Sequence, residues 1–157
     1  MKKLITLLGL TISFSMNAQV STNSTSPTGI YASAMGYQTT ASGNESTAMG
    51  YDTTASGEAS TAMGYSTTAS AQSSTAMGYG TTASDYGSLV IGRYNSSGSS
   101  VTNNAISFNT ANTAFVIGNG ADSSNKSDAF KVMFNGDTTV SNDLTVSGDV
   151  VVSSDAR

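Results

Sequence analysis

The chain has 157 residues, six basic and ten acidic side chains, a formal charge of −4, and neither His nor Cys. Lacking both, it has none of the commonest general base, nucleophile and zinc-ligand types, and it has no disulfide to brace a fold outside the cell. An acidic chain of this length holds one compact domain or one rod, and it is a poor partner for nucleic acid.

Lys2-Lys3, the apolar run Leu4 to Phe14 and the small residue Ala18 before Gln19 have the grammar of a secretory signal peptide. Residues 1–18 are therefore expected to be removed, with the remainder secreted or displayed on the cell surface. The apolar run is too short to span a membrane, and no Cys stands at the cut to take a lipid. Without Lys2 and Lys3, four basic residues face ten acids, a charge of −6. Only 20 of residues 19–157 are Ile, Leu, Val or Phe, which is too few for an ordinary globular core and close to a disordered composition.

Residues 19–30, polar and carrying the single Pro (Pro27), read as a flexible leader. Asn23, Asn44, Asn95 and Asn125 each open an Asn-x-Ser/Thr triplet, a pattern that polar chains generate freely.

From 31 to 92 one phrase of fourteen residues repeats. Ala32-Ser33-Ala34-Met35-Gly36-Tyr37 recurs as Ser-Thr-Ala-Met-Gly-Tyr at 46–51, 60–65 and 74–79, and a fifth coil closes with Ser88-Leu89-Val90-Ile91-Gly92. Thr-Thr-Ala-Ser follows each of the first four at 39–42, 53–56, 67–70 and 81–84. A disordered tract has no reason to hold Met35, Met49, Met63, Met77 and Ile91, or Gly36, Gly50, Gly64, Gly78 and Gly92, in register. A stacked ladder does, and these ten are the structural repeat positions. Fourteen residues are too few for a helix pair but suit two strands and two turns. Thr61, Met63 and Tyr65 alternate with Ser60, Ala62 and Gly64, the period of a strand, and Thr67 to Ser70 form the return. Five coils at about 4.8 Å each span roughly 24 Å.

These motifs resemble the head repeats of the YadA-like trimeric autotransporter adhesins, whose short motif is Ser-Val-Ala-Ile-Gly. The resemblance implies an all-β, left-handed parallel β-roll assembled as a homotrimer. Scarcity of core points the same way, since a lone coil has little apolar surface to bury without stacking and partner chains. The Met row is then expected either inside the roll or at a threefold axis. The rows Thr39/53/67/81 and Thr40/54/68/82 suit outward strand positions, and on a flat face such rows can also match ice.

Between 93 and 128 the period fails, and Ala114-Phe115-Val116-Ile117-Gly118 restores the motif with Ile117 26 residues after Ile91 rather than 28. The solenoid is expected to be interrupted here, and the resemblance implies passage from head to neck. Asp122, Asn125 and Asp128 lack calcium-loop spacing, so the expectation is a solvated loop with no metal. Ala129 to Phe134, Asn135-Gly136, then Asp137 to Val140 predict a β-hairpin whose Asn-Gly turn has two positive φ values.

A second register follows, with Asp137, Asp143, Asp149 and Asp155 six residues apart and Val140, Val146 and Val152 in one row. Six residues cannot close a coil in one chain, so three chains winding into an intertwined β neck over 129–157 are expected. This tail resembles the segment before the endosialidase-type intramolecular chaperone domain, which opens Ser-Asp-x-Arg-Leu-Lys. Ser154-Asp155-Ala156-Arg157 matches its first four letters. That resemblance implies self-cleavage beside Ser154 in a longer parent, aided by a Lys beyond Arg157.

No pair of acids is forced together by spacing and no nucleotide fingerprint is complete, so neither catalysis nor a cofactor is expected. The function expected is a non-enzymatic extracellular trimeric fibre that binds an unidentified protein or glycan on a surface, without spanning a membrane after signal removal. The alternatives are a phage-type tail-fibre shaft and an ice-binding solenoid.

Overall fold

The computed structural model describes residues 22–96 and 105–150. The signal segment 1–18 and Ser154 lie outside the described residues. Two short strands, β1 (Thr22–Asn23) and β2 (Ser26–Pro27), are followed by an alternation of long and short ones: β3 (Ser33–Tyr37), β4 (Thr40–Ala41), β5 (Thr47–Tyr51), β6 (Thr54–Ala55), β7 (Thr61–Tyr65), β8 (Thr68–Ala69), β9 (Thr75–Tyr79), β10 (Thr82–Ala83) and β11 (Leu89–Arg93). Then come β12 (Thr113–Asn119), β13 (Asp128–Met133) and β14 (Thr138–Val140). The long strands form a nine-stranded sheet in the order β1-β3-β5-β7-β9-β11-β12-β13-β14, and the short ones a five-stranded sheet, β10-β8-β6-β4-β2. The fold is a β-solenoid of fourteen-residue coils, without helix among the described residues.

Each coil turns twice, and every turn uses one residue in the left-handed region. These corners fall seven residues apart: Ser24, Tyr31, Gln38, Glu45, Asp52, Ala59, Ser66, Ser73, Gly80, Gly87 and Tyr94, with φ from 40 to 67°. Only two are Gly, so most corners cost about 1 kcal/mol in backbone strain. The return is a hydrogen bond at the corner itself: Asp52 N–H donates to Tyr37 O at 2.9 Å, Ser66 N–H to Tyr51 O at 2.8 Å, and Ala59 N–H to Asn44 O at 2.8 Å. Corner conformation and stacking are thus specified together.

The interior is narrow because it is lined by small residues. Ala34, Ala48, Ala62, Ala76, Val90 and Val116 face inward from the long sheet, and Ala41, Ala55, Ala69 and Ala83 from the short one. Thr39, Thr53, Thr67 and Thr81 are also fully buried, against the expectation of an outward row. Two consecutive Thr occupy opposite faces of a strand, so only Thr40, Thr54, Thr68 and Thr82 remain half-exposed, and no double Thr face is presented. The buried Thr hydroxyls have no hydrogen-bond partner. The Ser row fares better: Ser46, Ser60 and Ser74 Oγ donate to the carbonyls of Gly43, Gly57 and Ala71 at 2.6–2.7 Å.

Both ends of the short sheet are closed. Residues 22–30, expected as a flexible leader, form a further rung instead: Thr22-Asn23 pair with Gly36-Tyr37, and Ser26-Pro27 with Thr40-Ala41. Ser26 and Thr28 send their N–H groups into the roll, so by strand alternation Pro27 occupies the position whose N–H would otherwise face the open edge. At the other end the Asn95 side chain replaces the next strand, bonding both Thr82 N–H and Thr82 O.

The long sheet continues past that closure. Ile91 and Ile117 are parallel partners, so the interruption between Arg93 and Thr113 is an insertion across which the restored motif resumes the ladder. Asp85, standing where earlier coils have Gly57 or Ala71, is buried and its Oδ2 accepts from Thr113 N–H at 2.9 Å, anchoring the returning chain. The hairpin β13–β14 forms, but its turn differs from expectation: only Gly136 has positive φ, at 93°, and Gly136 N–H donates to Met133 O at 3.0 Å. Asn135 instead spends its Oδ1 on Asp137 N–H at 3.0 Å, which holds it in a turn with a glycine bulge.

Candidate functional site: the outer ladder face

Strand alternation sends three side chains of each long strand outward, and stacking in register draws them into rows. The first row is Ser33, Thr47, Thr61, Thr75, Leu89, Phe115 and Val132. The second is Met35, Met49, Met63, Met77, Ile91, Ile117, Phe130 and Val140. The Met row therefore lies outside the coil, and the interior alternative fails because Ala34, Ala48, Ala62 and Ala76 occupy that space. Met63 is 38% exposed, Leu89 37% and Val140 37%. One uninterrupted apolar stripe, half-buried to exposed, thus crosses eight strands with no element of the described residues laid over it.

Tyr37, Tyr51, Tyr65 and Tyr79 make the third row. Successive ring centroids lie 5.1, 4.8 and 4.7 Å apart, with the last two pairs within 3° of parallel. The coil repeat imposes this spacing, and each contact contributes on the order of 1 kcal/mol. Tyr94 ends the column edge-on to Tyr79 at 5.3 Å, and the Arg93 guanidinium lies 5.5 Å from the Tyr79 ring and 5.6 Å from that of Tyr94. Burial pushes the Tyr94 phenol above its ordinary value, and the Tyr79 hydroxyl adds to the shift.

The glycine row between Met and Tyr allows this packing. Gly36, Gly50, Gly64, Gly78 and Gly92 have φ of 99–126°, and a Cβ on any of them would sit 2.0–2.3 Å from the carbonyl oxygen of the glycine one rung on. The ten repeat positions therefore form two adjacent rows on one sheet.

The loop between β12 and β13 is exposed. Asp122 accepts from Ser124 N–H at 2.8 Å, Asn125 N–H at 2.9 Å and the Asn125 carboxamide, which together hold its carboxyl below the usual range. No group of three or more His, Cys, Asp and Glu placed to hold a metal occurs among the described residues, and they include no helix long and apolar enough to cross a membrane. Asn95 and Asp85 went unnoticed in sequence as closures. Their one signal was position, for each stands where the repeat has another residue.

The family described as YadA head domain repeat matches at residues 28–53, 41–67, 55–81 and 69–95. The matched span covers the coils and stops at Asn95. No curated protein and no solved structure matches the chain.

Proposed function

We propose that this chain is the head and upper neck of an extracellular, non-enzymatic trimeric fibre with an adhesin-type, surface-binding role. The observation that carries it is the apolar stripe from Met35 to Val140. A row of Met, Ile and Phe in register along the whole solenoid is an interface in want of a partner, and three copies closing on their stripes supply one. The YadA head repeats support the reading, because heads of that type are trimeric.

The rest of the chain fits the same plan. Residues 1–18 export it, residues up to 92 form the coiled head, and 129–157 wind with two other copies into a neck. Leu144 at 72%, Val146 at 48% and Val150 at 65% exposure stand uncovered by the described residues, in keeping with a three-chain winding. Cleavage beside Ser154 in a longer parent releases a chaperone once the chains are in register. The six-residue register also favours a second reading, a tail-fibre shaft with a purely structural role. The ice-binding alternative loses half of its Thr face to the interior.

Chromatography with light scattering on the exported chain tests the assembly: three chain masses are expected, and a monomer overturns it. Met63→Glu leaves the coil of a single chain intact, since the side chain points outward, but places three carboxylates together on the axis. Dissociation is the expected result, and an unchanged trimer mass removes the stripe as the interface. Adherence of the labelled trimer to immobilised matrix proteins or glycans separates the adhesin from the shaft.

A further inference from the structure

We infer that the opening beyond the end of the short sheet is a binding cleft for an acidic saccharide, which names the ligand class of the surface-binding role and rests on that reading. Where β10 is capped by Asn95, the long sheet runs on through β12, β13 and β14 with no strand opposite among the described residues. The inward row changes character at that point. After Ala34, Ala48, Ala62, Ala76, Val90 and Val116 come Lys131, the partner of Val116, and Thr139, the partner of Lys131. Partners across a ladder share a face, so Lys131 stands over the mouth of the roll.

An open cleft of about 440 Å³ lies there, and Lys126 and Lys131 both border it. They are two of only four basic residues in 19–157, and neither side chain has an ion pair or hydrogen bond among the described residues. The acid in the cleft lining is Asp128, whose Oδ1 is already engaged by Ser96 N–H at 2.8 Å; Asp85, deeper in the mouth, is taken up by Thr113 N–H. Two ammonium groups against one tethered carboxylate leave a site for a single anion. Its remaining wall is hydroxyl and carboxamide: Thr139, Ser141, Asn142 and Asn119. One negative charge among many hydroxyl partners is the chemistry of a uronic or sulfated sugar. Lys131 also lies on the face opposite Phe130 and Val140, so a trimer closed over the apolar stripe leaves the cleft open.

Titration of the full exported chain with glucuronic acid, N-acetylglucosamine 6-sulfate and glucose, followed by amide shifts of residues 126–131, tests the site. One or both acidic sugars shift these amides and glucose does not, the two acidic arms separating carboxylate from sulfate. Binding weakens with salt and falls by about tenfold in each of Lys126→Gln and Lys131→Gln, while Lys131→Arg retains it. No shift with either acid, or equal shifts with glucose, overturns the cleft. Adherence that acidic sugar does not compete and Lys131→Gln does not lower overturns it too, with the adhesin reading intact. Acid binding by a chain that adheres to nothing upholds the cleft and removes that reading.

Discussion

The carboxamide of Asn95 copies a peptide group for Thr82: Oδ1 accepts from Thr82 N–H at 2.7 Å while Nδ2 donates to Thr82 O at 2.9 Å. The Asn95 side chain is shielded, being 2% exposed, while Thr82 is half-buried. Asn95→Leu strips β10 of both bonds and should cost about 2–4 kcal/mol. It also uncovers a strand edge, so aggregation should rise. Denaturant unfolding with parallel light scattering checks both effects.

Gly64→Ala places a methyl 2.1 Å from the Gly78 carbonyl oxygen at a φ of 126°. The rung must move apart, and a loss above about 4 kcal/mol is expected. Gly148→Ala meets nothing within 4 Å and should be close to neutral. Thermal unfolding of the two variants side by side gives the comparison, and similar melting temperatures would contradict the stacking.

Thr67 is buried with a hydroxyl that has no partner. Thr67→Val keeps the shape and removes the orphaned polar group, so stability should rise by ~1 kcal/mol. Ser60→Ala, one row away, should do the reverse by a similar amount, because Ser60 Oγ donates to Gly57 O at 2.7 Å. The opposite signs distinguish two hydroxyls that look alike in sequence.

The Asp122 carboxyl is held below its ordinary range by Asn125 and the Ser124 amide. A lowered folded value means the unfolded loop takes up its proton first as pH falls. The loop's stabilisation is therefore complete above the ordinary carboxylate value and is lost on descending through the lowered one. Protection of the Ser124 and Asn125 amides, taken relative to the intrinsic exchange rate at each pH, should fall below about pH 4, and Asp122→Asn should remove that fall.

Much of the roll was legible because its repeat states each rule several times over. Period two in Thr61 to Tyr65 and the row of Gly36, Gly50 and Gly64 carried strand, stacking and outward face together. The errors came where one residue decides. Alternation places Thr39 and Thr40 on opposite faces, but propensity alone cannot tell which is inside. Pro27 and its neighbours looked like a leader because a two-residue edge strand is bound by the coil above it and not by its own composition. Asn135-Gly136 carried a turn signal whose type was decided by the bond from Asn135 to Asp137. The cleft was invisible, because Lys126 and Lys131 become neighbours of one space only when the sheet outruns its partner.

The seven-residue spacing of corners leaves the side chains of Gln38, Glu45, Asp52 and Ala59 in solvent, and these are among the positions where the coils differ. The coils at 32–45 and 46–59 satisfy each other's rows, whereas Gly80 against the Tyr94 ring and Asp85 on Thr113 N–H tie the last coil to its closure. An in-frame duplication or deletion of the coil at 32–45 or 46–59 therefore needs no compensating change, and it moves the tip by about 4.8 Å. Reach becomes a heritable quantity set by copy number, adjustable by replication slippage without touching either closure.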